Sequence, residues 1–470
     1  MAQPPAVSFS DITPTTGTSG RLMLRALVGR SDGSFWKEVR GLSRLAGPVF
    51  FSHLMVFNIS IVSSAFCGHL GKVELDAVSL ATAVINISGI SIGVGLSSAC
   101  DTLISQTFGS KNLKRIGVIL QRGILILLLT CFPCWALFIN IEHILLAFKQ
   151  PPEVANLTQL YVKIFIPGLP ATFLYELETR YLQNQGIILP QIFTGLVANI
   201  FNAVVNYILL YVLTLGVSGS AAANVASQYC QVILLFIYIR WKKLYVETWK
   251  GWSIDCLQEW GSFIKLAIPS MLMLCIEWWT YEISIFLTGL INEVELGAQA
   301  IIYQVLSAAY MIPLGYSVAV SVRVGNALGA GDSAQAKACA KVALLCAGLW
   351  SGMFTAVVVQ VIFFQIVIFK MNWKKASDQA RVNAGVKNDM DSTSSPSGGQ
   401  TENTLTEKDE VESSADIEQL IHESTATQAG VTVDVLPVKQ LIIRRGLVFL
   451  LGTIILAIGL VIHFTVATDT

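Results

Sequence analysis

Charge is scarce in this chain: only 13% of its 470 residues are Asp, Glu, Lys or Arg, against roughly 25% in soluble domains. That shortage excludes an ordinary water-solvated globule. Net charge is absent as well, since 31 basic residues balance 31 acidic ones. No field is present to hold a polyanion, so no nucleic-acid partner is expected. The stretch from Met1 to Gly41 carries Arg21, Arg25, Arg30, Lys37 and Arg40 and no short apolar core ahead of a cleavage site. Nothing there has signal-peptide form. No cluster with metal-ligand spacing and no nucleophile–base pair falls inside the apolar segments, so neither an enzyme nor a bound metal or cofactor is expected. Cys131-Phe-Pro-Cys134 has redox spacing, yet no His or carboxylate stands beside it. These cysteines read as small apolar packing residues.

Apolar residues, in contrast, are abundant. They make up 53% of the chain, and mean hydropathy is +0.62. Runs of about 20 residues, long enough to cross a bilayer as helices, fall near 46–67, 76–100, 116–141, 157–178, 187–213, 216–240, 264–290, 297–322, 338–369 and 446–466. The fold class is therefore an all-α polytopic membrane protein in contact with membrane lipid. Basic residues gather before the first run, at Lys111, Lys114 and Arg115, at Arg180, and at Arg240, Lys242, Lys243 and Lys250. The loops between hold only Lys72 and Lys149. This alternation predicts a cytoplasmic amino terminus.

The chain also repeats itself. Leu45-Ala46-Gly47-Pro48 matches Leu266-Ala267-Ile268-Pro269, and Val73-Glu74-Leu75 matches Val294-Glu295-Leu296, both at an offset of 221. Gln106-Thr-Phe108-Gly109 matches Asn326-Ala-Leu328-Gly329 at 220. A same-sense duplication of this kind is a transporter signature. Trp241-Lys242-Lys243 closes the first copy, but its match, Trp373-Lys374-Lys375, stands at an offset of only 132. The offset therefore drops by 89 near Ala347-Gly348, which reads as a block lost from the second copy. The fused run 338–369 would measure about 48 Å as a helix, against a hydrocarbon core of about 30 Å. A steep tilt, a break at Gly348 or Gly352, or failed insertion would each fit. The polar stretch from 376 reads as a disordered linker, and the last span as an anchor.

Two acids stand out inside the apolar run IKLAIPSMLMLCIEWWTYEISIFLTGLI: Glu277 and Glu282. Each costs on the order of 3 kcal/mol in hydrocarbon and is a functional candidate by default. At i and i+5, they lie about 140° apart around a helix and flank a face. Trp278, Trp279 and Tyr281 lie between them, and aromatic faces attract cations. Such a wall suits organic cations and protons competing for one charge. Plain packing with helix–helix hydrogen bonds is the alternative. Gln304 is a further polar candidate, as are His53 and Asn58 in the first span. Asp101 is expected to anchor a helix end. Pro167 and Pro170 are expected to kink the fourth span, and Gly325, Gly329 and Gly331 to form a tight turn.

CIEWWTYE, SVRVGNALGAGD, GHLGKVELDAV and SSACDTLISQTFGS together resemble the multidrug and toxin extrusion family in its animal branch. The resemblance implies two six-helix lobes around a central cavity, alternating access, and proton-coupled export of organic cations across the plasma membrane. It further implies a polar loop and an extra final helix. The expected plan is an amino-terminal segment 1–40, a first lobe 41–250, a truncated second lobe 251–375, a linker 376–440 and a terminal helix 441–470. Where the family places a glutamate in its eighth span, this chain has Gln304. Another family carboxylate belongs to the missing block, so Glu277 and Glu282 are the acids that remain. A shortened, transport-deficient form of such an exporter is the competing expectation.

Overall fold

The computed structural model describes residues 32–289, 293–345 and 438–468. Among these residues every regular element is helical. Backbone amides inside a bilayer find no water, so each span must satisfy its own hydrogen bonds, which a helix does. In chain order the long elements are α1 (Asp32–Gly68), α2 (Lys72–Gly109), α3 (Leu113–Ile139), α4 (Pro152–Phe165) and α5 (Gly168–Gln183). They continue with α6 (Leu189–Val212), α7 (Gly216–Trp241), α8 (Trp260–Gly289), α9 (Glu293–Gly329), α10 (333–345) and α11 (Val438–Thr468). Helix α1 starts at Asp32, ahead of the boundary at residue 40 expected for the first lobe.

Among the described residues eight helices are long and apolar enough to cross a membrane. The pair α4 and α5 makes a ninth span with a 54° bend at its junction. Pro167 occupies that junction and Pro170 the first turn of α5. Pro167 lacks the amide that would carry the helix through, so the expected kink is present. These nine correspond to nine of the ten apolar runs. The run 338–369 lies outside the described residues from 346 onward, as does the polar stretch 376–437.

The helix at the centre is α2. On one side it packs on α3 and α5 of its own half, and on the other on α8 and α9. Val78, Ile85, Leu96, Cys100 and Ile104 of α2 share a buried core with Leu127, Phe138, Phe165, Phe173 and Leu177. Cys131 and Cys134 of α3 lie buried in the same core. Helix α9 lies along α1 as well as α2, and α11 returns to pack along α3.

Where α2 meets α9 the duplication becomes visible in space. A side chain at Gly109 would strike the carbonyl of Asn326, and one at Gly329 would strike the carbonyl of Gln106. Gln106 and Asn326 are repeat partners, and so are Gly109 and Gly329. Each copy thus presents its glycine to the other copy's carbonyl, as two surfaces related by a pseudo-two-fold axis do. The expected glycine turn is accordingly corrected. Gly325 and Gly329 are helical residues of α9, where a missing side chain permits close backbone approach to Ser105 and Gln106. Gly331 alone of the three takes a left-handed conformation, with φ of 77°.

Candidate functional site

Glu277 and Glu282 both lie on α8, and the structure turns them toward different neighbours. Cys275, Trp279 and Glu282, spaced four and three apart, form the stripe that meets α2. There Asn86 Nδ2 donates to Glu282 Oε1 at 3.2 Å, Trp279 Nε1 donates to the Ile87 carbonyl at 3.0 Å, and Cys275 meets Ser91 at 3.6 Å. Glu282 is 9% exposed. Glu277 lies on the other flank, where Tyr310 of α9 donates its hydroxyl to Oε1 at 2.6 Å. The two acids therefore flank a face, as their spacing predicts. Trp278 is half-buried, while Trp279 and Tyr281 are partly exposed.

The local shape of α2 explains this contact. Between Asn86 and Ile90 it widens into a π-helical turn. Such a turn changes which carbonyls remain available to outside donors, and π-bulges concentrate at functional sites. The Ile87 carbonyl takes both the Ser91 hydroxyl at 2.9 Å and the Trp279 indole. Gly95, one turn further on, lets α8 approach so closely that a side chain there would strike the Met271 backbone.

No basic residue lies within ion-pair distance of Glu277 or Glu282 among the described residues; their bonded partners are neutral. Two acids of the first half, Asp101 and Glu176, are arranged differently. Asp101 of α2 pairs with Arg180 of α5 at 3.1 Å and accepts from Asn184 at 3.0 Å, and Glu176 pairs with the same arginine at 3.5 Å. Asp101 thus anchors α2 to α5, the role expected of it. His53 of α1 is half-buried; its Nε2 is closed off and without a hydrogen-bond partner among the described residues, and the charge that reaches it is that of Arg180. Asn58, further along α1, is half-buried. Among the described residues no hydrogen bond or ion pair joins His53 to either glutamate. The backbone of Gln304 belongs to α9, and its side chain lies outside the described residues.

Tyr310 and Asn86 were not among the candidates drawn from the sequence. Their signal was present but faint: each is an uncharged hydrogen-bonding side chain among several small hydroxyl residues in an apolar run. Nothing in one dimension indicates that they reach the two glutamates across 33 and 196 residues.

Up to nine candidate spans among the described residues, a same-sense duplication and buried acids with neutral partners define a multi-pass membrane protein of transporter type. Residues 48–208 and 269–378 match the MatE family, and the chain belongs to that family, in its animal branch. The two matched stretches begin at Pro48 and Pro269, the same offset as the internal repeat, and the second is the shorter. Among curated relatives, multidrug and toxin extrusion protein 1 of Danio rerio is 49% identical over 550 aligned positions, covering 94% of this chain and 92% of that one. Those positions outnumber the 470 residues here, so this chain lacks segments that the relative has. The protein of the same name from Homo sapiens is 63% identical over 322 residues, 68% of this chain and 56% of its own length. Among solved structures, the eukaryotic MATE transporter AtDTX14 aligns with a TM-score of 0.65 at 29% identity, over 70% of this chain and 74% of that chain. A Vibrio cholerae MATE transporter, VcmN in its bent form, shares the fold at 18% identity and a TM-score of 0.55, over 66% and 70% of the two chains.

Proposed function

We propose that this protein exports organic cations across the plasma membrane in exchange for protons, with Glu277 and Glu282 as the exchanging groups. One observation carries the reading: two carboxylates sit inside the apolar bundle with only neutral hydrogen-bond partners among the described residues. A charge so placed is unstable until a cation joins it. A proton and an organic cation compete for that place, so a proton moving inward releases the cation outward. Trp278, Trp279 and Tyr281 add the aromatic surface that a flat cation prefers. Tyr310 and Asn86 hold the carboxylates in position. The names of the relatives, multidrug and toxin extrusion proteins, support export of drug-like compounds. In this reading the basic end of the bundle faces the cytoplasm, 41–250 is the first lobe, 251–375 the second, 376–440 the linker and 441–470 the terminal helix.

A second reading rests on the drop in the repeat offset and on the longer alignment with the Danio rerio relative. It holds that this chain is a shortened form of such an exporter that does not complete transport. Uptake of a fluorescent organic cation into proteoliposomes under an imposed pH gradient separates the two. Gradient-driven flux in the natural chain that disappears in Glu277→Gln supports the exporter. Equal flux from both rejects the proton-exchange role, and no flux from either supports the shortened form.

A further inference from the structure

The terminal helix α11 is bound to α3 along one close seam. Gly459 lies against Ala136, where an added methyl would come within 2.8 Å of its Cβ. Asn140 Nδ2 donates to the Gly459 carbonyl at 2.8 Å, and Phe449 meets Phe132 edge-on at 5.5 Å between ring centres. One turn beyond that hydrogen bond, each side of the seam contributes an imidazole. The rings of His143 and His463 stand 5.8 Å apart, centre to centre, with planes inclined by 54°. His143 Nε2 and His463 Nδ1 are both closed off from solvent, and neither has a hydrogen-bond partner among the described residues. An imidazole nitrogen is a strong donor or acceptor, and two orphan nitrogens on neighbouring rings at one seam leave room for a shared occupant.

We infer that His143 and His463 form a binding site for a transition-metal ion of the zinc or copper(II) class, which clamps α11 to the short helix Ile141–Ala147 that follows α3. The spacing fits. A zinc–nitrogen bond of about 2.1 Å plus the depth of the ring places each ring centre roughly 3.2 Å from a shared ion. Two rings on one ion then have centres between about 5 Å and 6.4 Å apart. No three potential ligands already stand in metal-binding geometry among the described residues, so the pair is the core of the site and a third donor must swing in. Glu142, next to His143, supplies it. Its carboxylate now accepts a long 3.4 Å bond from exposed Asn156, which is easily exchanged. Besides His143, Glu142 and Lys163 are the charged groups that reach His463, one of each sign. Two imidazoles, one carboxylate and water make a nitrogen–oxygen set that suits zinc and copper(II) over magnesium and calcium. The site lies at the end of α3 away from the basic cluster at Lys111, Lys114 and Arg115. Transport chemistry at the two glutamates does not require it.

The test uses the purified full-length chain in detergent at slightly alkaline pH, where imidazoles are neutral. Zinc chloride at micromolar concentration should raise the unfolding temperature, and magnesium chloride should not. The zinc shift should vanish in His143→Gln and in His463→Gln alike, and the double variant should behave as either single one. If the natural chain shows no shift, or if either variant keeps it, the proposal is overturned. Copper(II) electron paramagnetic resonance on the natural chain needs no variant to fold. One ion per protein with splitting from two nitrogens supports the site, whereas a spectrum without nitrogen coupling overturns it.

Discussion

Two groups of carboxylates among the described residues are treated in opposite ways. Asp101 and Glu176 share Arg180, a fixed cation whose side chain is 9% exposed. Glu277 and Glu282 have only a phenol, an amide and apolar walls among the described residues. An acid with its own arginine is already neutralised, and its bond ties helix to helix. An acid with neutral partners is held in position but left short of positive charge. The first arrangement is structural, and the second leaves room for a mobile cation. The same residue type inside the same bundle thus takes two roles, separated by whether a guanidinium is within reach.

Substitutions can break that contrast, and the largest effect is expected in transport. Glu277→Gln should reduce gradient-driven cation flux to the background of empty vesicles while leaving the unfolding temperature nearly unchanged. Arg180→Gln should do the reverse and strike folding first. Removing one partner of a buried ion pair costs about 3–5 kcal/mol, read as a fall in thermal stability or in correctly sized protein on gel filtration. Adding Asp101→Asn should restore part of that loss, since the orphaned charge is then gone. A smaller effect is expected at the crossing of the two repeats. Gly329→Leu inserts a side chain against the Gln106 carbonyl, and overpacking of this kind costs about 1–3 kcal/mol. Gly109→Leu should cost a similar amount if the contact is reciprocal, and unequal costs would speak against the pseudo-two-fold relation. The smallest effect is expected at the surface. Arg115→Ala breaks a 3.0 Å pair with Glu259 whose arginine is 54% exposed, and should change stability by less than about 1 kcal/mol.

Much of this could be read before any coordinates. Apolar run length marked nine described spans, because a bilayer imposes one minimum length on every crossing helix. The offset of 221 marked the duplication, and the crossing of Gly109 with Gly329 shows the two copies meeting face to face. The two glutamates were legible because a carboxylate in hydrocarbon is conspicuous by its cost. Asp101 was legible only in part: an anchoring role was expected, but its arginine lies three helices further along the chain. The glycines of α9 misled, since GNALGAG is as good a turn as it is a helix face. What decides between them is the backbone of α2 pressed against it.

Composition and periodicity alone therefore determined that this chain spans a membrane many times, is built from a duplicated unit, and carries two acids where acids are costly. These are properties of segments, set by solvent and by local backbone chemistry. Tertiary structure alone decided which acids receive an arginine, that a π turn at Asn86 meets Glu282, and that His143 faces His463 from a helix at the far end of the chain. Those outcomes depend on which helix surfaces touch, and helix packing is set by shape at the contact, which no single segment contains.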